Sequence, residues 1–96
     1  MKLEEAIKKG HDVYFNNSYW KDVYEGAPDD AKRYYDLIFS QYVGRDDSEY
    51  RKEFMEEKDR MYGDLSENGL EYIMKHTTSN MVKSHLKNQR EKHSKK

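Results

Sequence analysis

The stretch "GAPDDAKRYYDLIFSQYVG", residues 26–44, has the clearest boundaries in the chain. Pro28 suits a first-turn position, because its ring fixes φ near the helical value and its missing N–H would be unpaired there in any case. Asp29 and Asp30 follow at the positive end of the helix dipole, and Gly44 is placed to stop the segment. Between these marks Ala31, Tyr34, Tyr35, Ile38, Phe39 and Tyr42 lie on one side of a helix. A central helix is expected here, with the rest of the chain packed around it.

Upstream, Leu3, Ile7, Gly10 and Tyr14 recur at three- and four-residue steps with Ala6 and Val13 beside them, which predicts a first helix over about residues 3–15. Gly10 weakens that helix locally. The run Asn16-Asn17-Ser18 interrupts it and reads as a turn, with Ser18 able to cap a short second helix that carries Trp20, Val23 and Tyr24 and ends at Gly26. Trp20 is expected in the core. Downstream, Asp46, Asp47 or Ser48 can begin a fourth helix over about 48–62, closed by Gly63, with a narrow apolar strip of Tyr50, Phe54 and Met61 and with Met55 and Tyr62 adjacent. That strip could face its own domain or a second copy, so a homodimer stays open.

"DLSENG", residues 64–69, is a turn signal, after which Leu70, Ile73 and Met74 mark a fifth helix. "HTTSN", residues 76–80, separates it from a sixth that carries Met81, Val82 and Leu86. Beyond Gln89 no large apolar residue occurs. Only "DVYF", residues 12–15, hints at a strand. The expected fold is therefore all-α: a compact bundle of five to six short helices in one domain over residues 1–89, with residues 90–96 as a frayed basic tail.

Composition supports a folded chain with a lean core. Leu, Ile, Val and Phe together supply only 15 of 96 residues, but nine Tyr, one Trp and five Met add apolar volume, and the net charge is −1. There is no cysteine, so neither a disulfide framework nor a thiolate zinc site is available. Glu4 and Glu5 interrupt the apolar run a secretory signal would need, and no stretch approaches the ~20 apolar residues of a membrane span. A cytoplasmic setting without membrane contact is expected.

Charge is unevenly spread. Residues 1–64 hold 11 Lys or Arg against 16 Asp or Glu, and residues 65–96 hold 7 against 3. Such a division can present a basic face to phosphates or an acidic face to a basic protein, or can hold two regions of one fold together. Residues 70–89 could form helix, short turn, helix, and "MVKSHLKNQREK", residues 81–92, resembles the second, DNA-reading helix of LuxR-type and sigma-factor region-four modules. That resemblance implies Val82 and Leu86 packed inward, with Lys83, Ser84, Lys87 and Asn88, and Arg90 beyond them, facing nucleic acid. The turn is one residue shorter than in those modules, and Ile73 or Met74 stands where they carry a small residue. No family is assigned on it.

Chemistry-bearing motifs are sparse. His11, His76, His85 and His93 have no metal-ligand spacing, no Gly-rich phosphate loop or nucleophile elbow occurs, and Asp29-Asp30 and Asp46-Asp47 sit where helix capping explains them. On the acidic fourth helix Lys52–Glu56 and Glu56–Arg60 have the spacing of surface ion pairs. No enzyme activity, cofactor or metal is expected. Tyr and Trp are enriched at protein-protein hot spots, and of the aromatic residues Tyr19, Tyr24 and Tyr50 are the candidates for a protein interface. The leading expectation is an interaction protein with a protein partner, and the alternative is DNA binding through residues 70–89.

Overall fold

In the computed structural model, which describes residues 1–77 and 80–94 without the side chains of residues 90, 93 and 94, six helices follow one another: α1 (Leu3–Tyr14), α2 (Ser18–Gly26), α3 (Asp29–Gly44), α4 (Ser48–Asp64), α5 (Glu67–Lys75) and α6 (Asn80–Ser94). No strand occurs among the described residues. The all-α expectation holds, and α3 is the hub: α1 lies along it, α4 and α5 pack against it, and α6 packs chiefly on α4.

Local chemistry sets the helix starts. Pro28 is the N-cap of α3, in extended conformation just ahead of the first turn, and Asp29 and Asp30 follow it. Asn17, not Ser18, caps α2: its side-chain oxygen accepts from the N–H groups of Tyr19 at 2.9 Å and Trp20 at 3.3 Å. An Asn carbonyl serves two of the unpaired donors of a first turn, which leaves Ser18 free to be the first helical residue. Asp47 caps α4 through Tyr50 N–H at 2.9 Å, and the Ser66 hydroxyl caps α5 through Gly69 N–H at 3.0 Å.

Of the glycines, Gly63 does not stop its helix, Gly44 ends α3 as expected, and Gly10 and Gly44 have a further role in packing. No glycine among the described residues has a positive φ. α4 passes through Gly63 and ends at Asp64, because the next residue, Leu65, turns extended and is buried in the core. Gly10 is buried where α1 meets α3: a Cβ there would lie 2.5 Å from the Phe39 carbonyl oxygen. Gly44 ends α3 but does so under the ring of Tyr50, which a Cβ would meet at 2.7 Å. The last two are contact residues that let two helix backbones, or a backbone and a ring, come together.

The core joins Leu3 and Ala6 of α1, Val23 of α2, Ala31, Tyr34, Tyr35, Leu37 and Phe39 of α3, Tyr50, Phe54, Met61 and Tyr62 of α4, Leu70 and Ile73 of α5, and Leu86 of α6. The strip of Tyr50, Phe54 and Met61 is thus occupied within its own domain. Trp20, expected in the core, is only half-buried, packing edge-on against Phe39 and Tyr14. The Asp30 carboxylate accepts from the Ser66 N–H at 2.8 Å and hydroxyl at 2.6 Å, so the start of α3 holds the turn that begins α5. Burial opposes ionisation of Asp30, but the two Ser66 bonds and the Ala31 N–H outweigh it and keep the carboxyl below its usual range. α6 continues to Ser94, five residues past the end expected at Gln89. Its backbone hydrogen bonds carry it on where apolar side chains have run out.

Candidate functional site

Of the tyrosines expected at an interface, one lies at the surface. Tyr19 is 53% exposed, whereas Tyr50 is 1% exposed. Tyr50 faces inward because its ring lies on Gly44 and its hydroxyl meets Ser40 Oγ at 2.7 Å. The single Ser40 hydroxyl proton goes to the Leu37 carbonyl at 2.7 Å, so the phenol is the donor of the pair. Tyr50 therefore offers almost no surface of its own, and its ring forms part of the wall of a small cleft with Gln41, Arg45 and Phe54.

Tyr24 is half-buried and belongs to a polar cluster that sequence reasoning missed. His11 Nε2 lies 2.6 Å from Asp36 Oδ1, and the imidazole stacks on Phe15 at 4.8 Å and meets Tyr24 edge-on at 5.1 Å. A carboxylate only accepts, so Nε2 carries the proton. The Tyr24 phenol is pushed up to about 12, by burial first and then by the charge of Asp36 and a hydrogen bond to it. The nearby concavity, bounded in part by Leu3, Ile7, Arg33, Asp36 and Glu57, holds 170 Å³, below the ~300 Å³ at which small-molecule sites begin. What this cluster does is fasten α1 and α2 to α3. No signal in the sequence pairs His11 with Asp36, since their separation of 25 residues fits no helical spacing.

The α6 candidates are divided. Ser84, Lys87 and Asn88 are exposed, Lys83 is half-buried, and the side chain of Arg90 lies outside the described residues. Leu86 packs inward as expected, but Val82 is 39% exposed, because α6 rests mainly on α4 and meets α5 much less. Of the two residues the resemblance placed inward, one is buried and the other is not. On α4, Arg60 pairs with Glu57 at 2.8 Å instead of Glu56, and Arg33 reaches across from α3 to Glu57 at 2.5 Å and Asp64 at 3.1 Å. Burial works against the Arg33 charge, but the hydrogen bonds of Glu57 and Asp64 prevail and raise its pKa.

A continuous aromatic surface lies elsewhere. Aromatic rings run edge to face from α2 over α1 to α3: Tyr19 to Trp20 at 5.2 Å, Trp20 to Tyr14 at 6.0 Å, and Tyr14 to Tyr42 at 6.1 Å. Tyr14 is stacked on Phe39 at 4.3 Å, so the core holds the band from beneath. Beyond Tyr42 the band opens into a cleft of 420 Å³ between Tyr14, Ile38, Gln41, Tyr42 and Arg45. A second cleft of 150 Å³ adjoins it, sharing Gln41 and Arg45 and bounded by Arg51, Phe54 and Met55 of α4. Tyr42 is 66% exposed and Met55 52% exposed. Tyr42 follows the same helical spacing as the buried Tyr35 and Phe39, yet it lies two residues before the end of α3 and is exposed. Met55 gave a better signal, since it stands one step off the strip of Tyr50, Phe54 and Met61.

Among the described residues no group of His, Cys, Asp and Glu could hold a metal ion, and no helix is long and apolar enough to cross a membrane. No family model, curated protein or solved structure matches this chain.

Proposed function

We propose that this protein is a non-enzymatic interaction module that binds a protein partner through the surface running from Tyr19 over Tyr14 and Tyr42 to Met55. The observation that carries this reading is the exposure of two large side chains, Tyr42 and Met55, beside adjoining clefts that share Gln41 and Arg45. Tyr, Trp, Met and Arg are the types concentrated at protein-protein interfaces, and anchors set in or beside pockets carry most of the binding energy there. Catalysis is a poorer fit, because the clefts are lined by rings, aliphatic groups and cations, with neither a carboxylate nor an imidazole to move a proton. The cysteine-free composition is compatible with a cytoplasmic setting.

The test compares three immobilised proteins in a lysate of the native cells, with and without nuclease: the unchanged chain, the Tyr42→Ala/Met55→Ala variant and the Lys83→Glu/Lys87→Glu variant. A stoichiometric protein should be retained by the first and third and lost from the second, with nuclease making no difference. Retention that disappears with nuclease or with the α6 variant would assign the role to nucleic acid instead. Retention indifferent to Tyr42 and Met55, or no stoichiometric retention at all, would also end this reading.

A further inference from the structure

We infer that the α3–α4 end of this surface takes an acidic peptide segment that carries a large apolar side chain; the inference rests on the interface proposed above and names its occupant. Several carboxylates of α3 and α4 are engaged away from the clefts. Asp36 turns to His11, Glu53 accepts the Leu3 N–H at 3.4 Å, Glu57 holds Arg33 and Arg60, and Asp47 is engaged in capping α4. These contacts engage four of the acidic groups of this region, while Asp46 and Glu56 stand exposed outside the cleft linings.

The charged side chains that line the clefts are cationic. Arg45 and Arg51 line the clefts and form no ion pair among the described residues. Lys58 stands over the Phe54 ring at 5.8 Å in the adjoining recess. No carboxylate lines any of the three recesses. A surface of one sign with apolar walls attracts the opposite sign and rejects its own. Planar guanidinium groups are in addition matched to carboxylates, which they can bind through two parallel hydrogen bonds.

Cleft size limits the occupant as well. The smaller cleft, at 150 Å³, has the volume that in a protein interior holds about one benzene-sized group. That suits one Leu, Phe or Met side chain inserted beside Met55 and Phe54, not a drug-sized ligand. A nucleic acid strand would need successive open ring faces to stack on. Within the clefts the Tyr14 face is already stacked on Phe39 and the Phe54 ring on Tyr50, which leaves Tyr42 alone as a platform. A strand of bases finds one step where it needs several, whereas an acidic helix with one apolar anchor finds both of its partners.

Fluorescence anisotropy with the full chain tests this, using a labelled amphipathic peptide of Leu and Glu with Leu at three- and four-residue steps, its isomer with Lys in place of Glu, and single-stranded oligothymidylate. The Glu peptide should bind, more weakly as salt rises, and the Lys isomer should not. Each exposed ion pair contributes up to about fivefold, so Arg45→Glu/Arg51→Glu, which removes two pairs and sets like charges against the peptide, should weaken binding about tenfold. Both arginines are exposed, so the variant should keep its helical circular dichroism; Tyr42→Ala gives an independent loss should it not. Lys83→Glu/Lys87→Glu should change binding less than about twofold. Failure of the Glu peptide to bind, equal binding of the Lys isomer, indifference to the arginine reversal, or tighter binding of the oligonucleotide would each overturn the inference. Arg45→Glu/Arg51→Glu in the lysate capture separates the two readings: a partner lost on Tyr42→Ala/Met55→Ala but unaffected by the arginine change would sink the acidic occupant and keep the interface.

Discussion

Replacing Gly10 by alanine should destabilise the protein, although intrinsic propensity alone would make the change favourable by about 1 kcal/mol in a helix interior. The added Cβ would stand 2.5 Å from the Phe39 carbonyl oxygen and 2.7 Å from its carbonyl carbon, where ordinary contact begins at 3.4 Å. Both are backbone atoms of α3, so no side chain can rotate away. The two helices must part by close to an ångström, and a gap of 0.5–1 Å forfeits roughly a quarter to a half of the dispersion energy of each contact it opens. Overpacking of this kind costs about 1–3 kcal/mol, and more where backbone must shift. The net expectation is a loss of about 1–2 kcal/mol, or a drop in Tm of roughly 5–15 °C for a domain of this size. Gly63→Ala supplies the control, since nothing lies within 4 Å of a Cβ built there and the residue is inside α4. It should gain up to about 1 kcal/mol. Thermal and urea unfolding followed by far-ultraviolet circular dichroism measures both. If Gly10→Ala matched or exceeded the parent in Tm, the close approach of α1 to α3 would be wrong, and with it the packing that supports Tyr14 and its neighbours.

Two buried phenols should respond oppositely to loss of the hydroxyl. Tyr50→Phe removes the donor to Ser40 and should cost about 1 kcal/mol, whereas Tyr35→Phe removes a buried hydroxyl with no hydrogen-bond partner among the described residues and should stabilise by a similar amount; urea midpoints of the two variants check the signs. Burial raises the pKa of Tyr24 and Tyr34 to about 12 and lifts Tyr35, Tyr50, Tyr62 and Tyr72 as well. An unfolded chain loses these protons near pH 10, so the stability they carry is complete below about that pH and falls as pH rises towards the folded values. Phenolate absorbance from these residues should therefore appear in one step with the loss of helical signal; gradual ionisation well before unfolding would show that the rings are not sequestered.

Much of the architecture was legible because helix periodicity and capping are local. Pro28, Asp29 and Asp30 start α3 where the sequence places it, and Asp47 caps α4 as its position before an apolar strip implies. Where the sequence misled, the deciding contact was between distant residues. Gly63 carries no breaking function because Leu65 is drawn into the core, and Tyr50 was offered as an interface residue because nothing local reveals that Gly44 and Ser40 receive it. His11 and Asp36 meet only when α1 lies along α3.

The charge pattern shows the same limit from another side. Counted along the chain, the cations gather in the last third, and that drew attention to Lys83 and Lys87. Counted in space, five of the sixteen carboxylates of the acidic first two thirds, Asp30, Asp36, Asp47, Glu57 and Asp64, are held by Ser66, His11, a helix cap and Arg33. Arg45 and Arg51 come from that acidic portion yet border clefts without a carboxylate. Meanwhile the basic α6 rests on α4, whose own residues are net acidic, so part of the opposition between the two regions is met inside the fold. Regional net charge therefore points to α6, while the sign of the apolar clefts is set by the side chains that line them. A ligand responds to the second quantity, because at physiological salt a charge is felt over roughly 8 Å and not over a sequence segment.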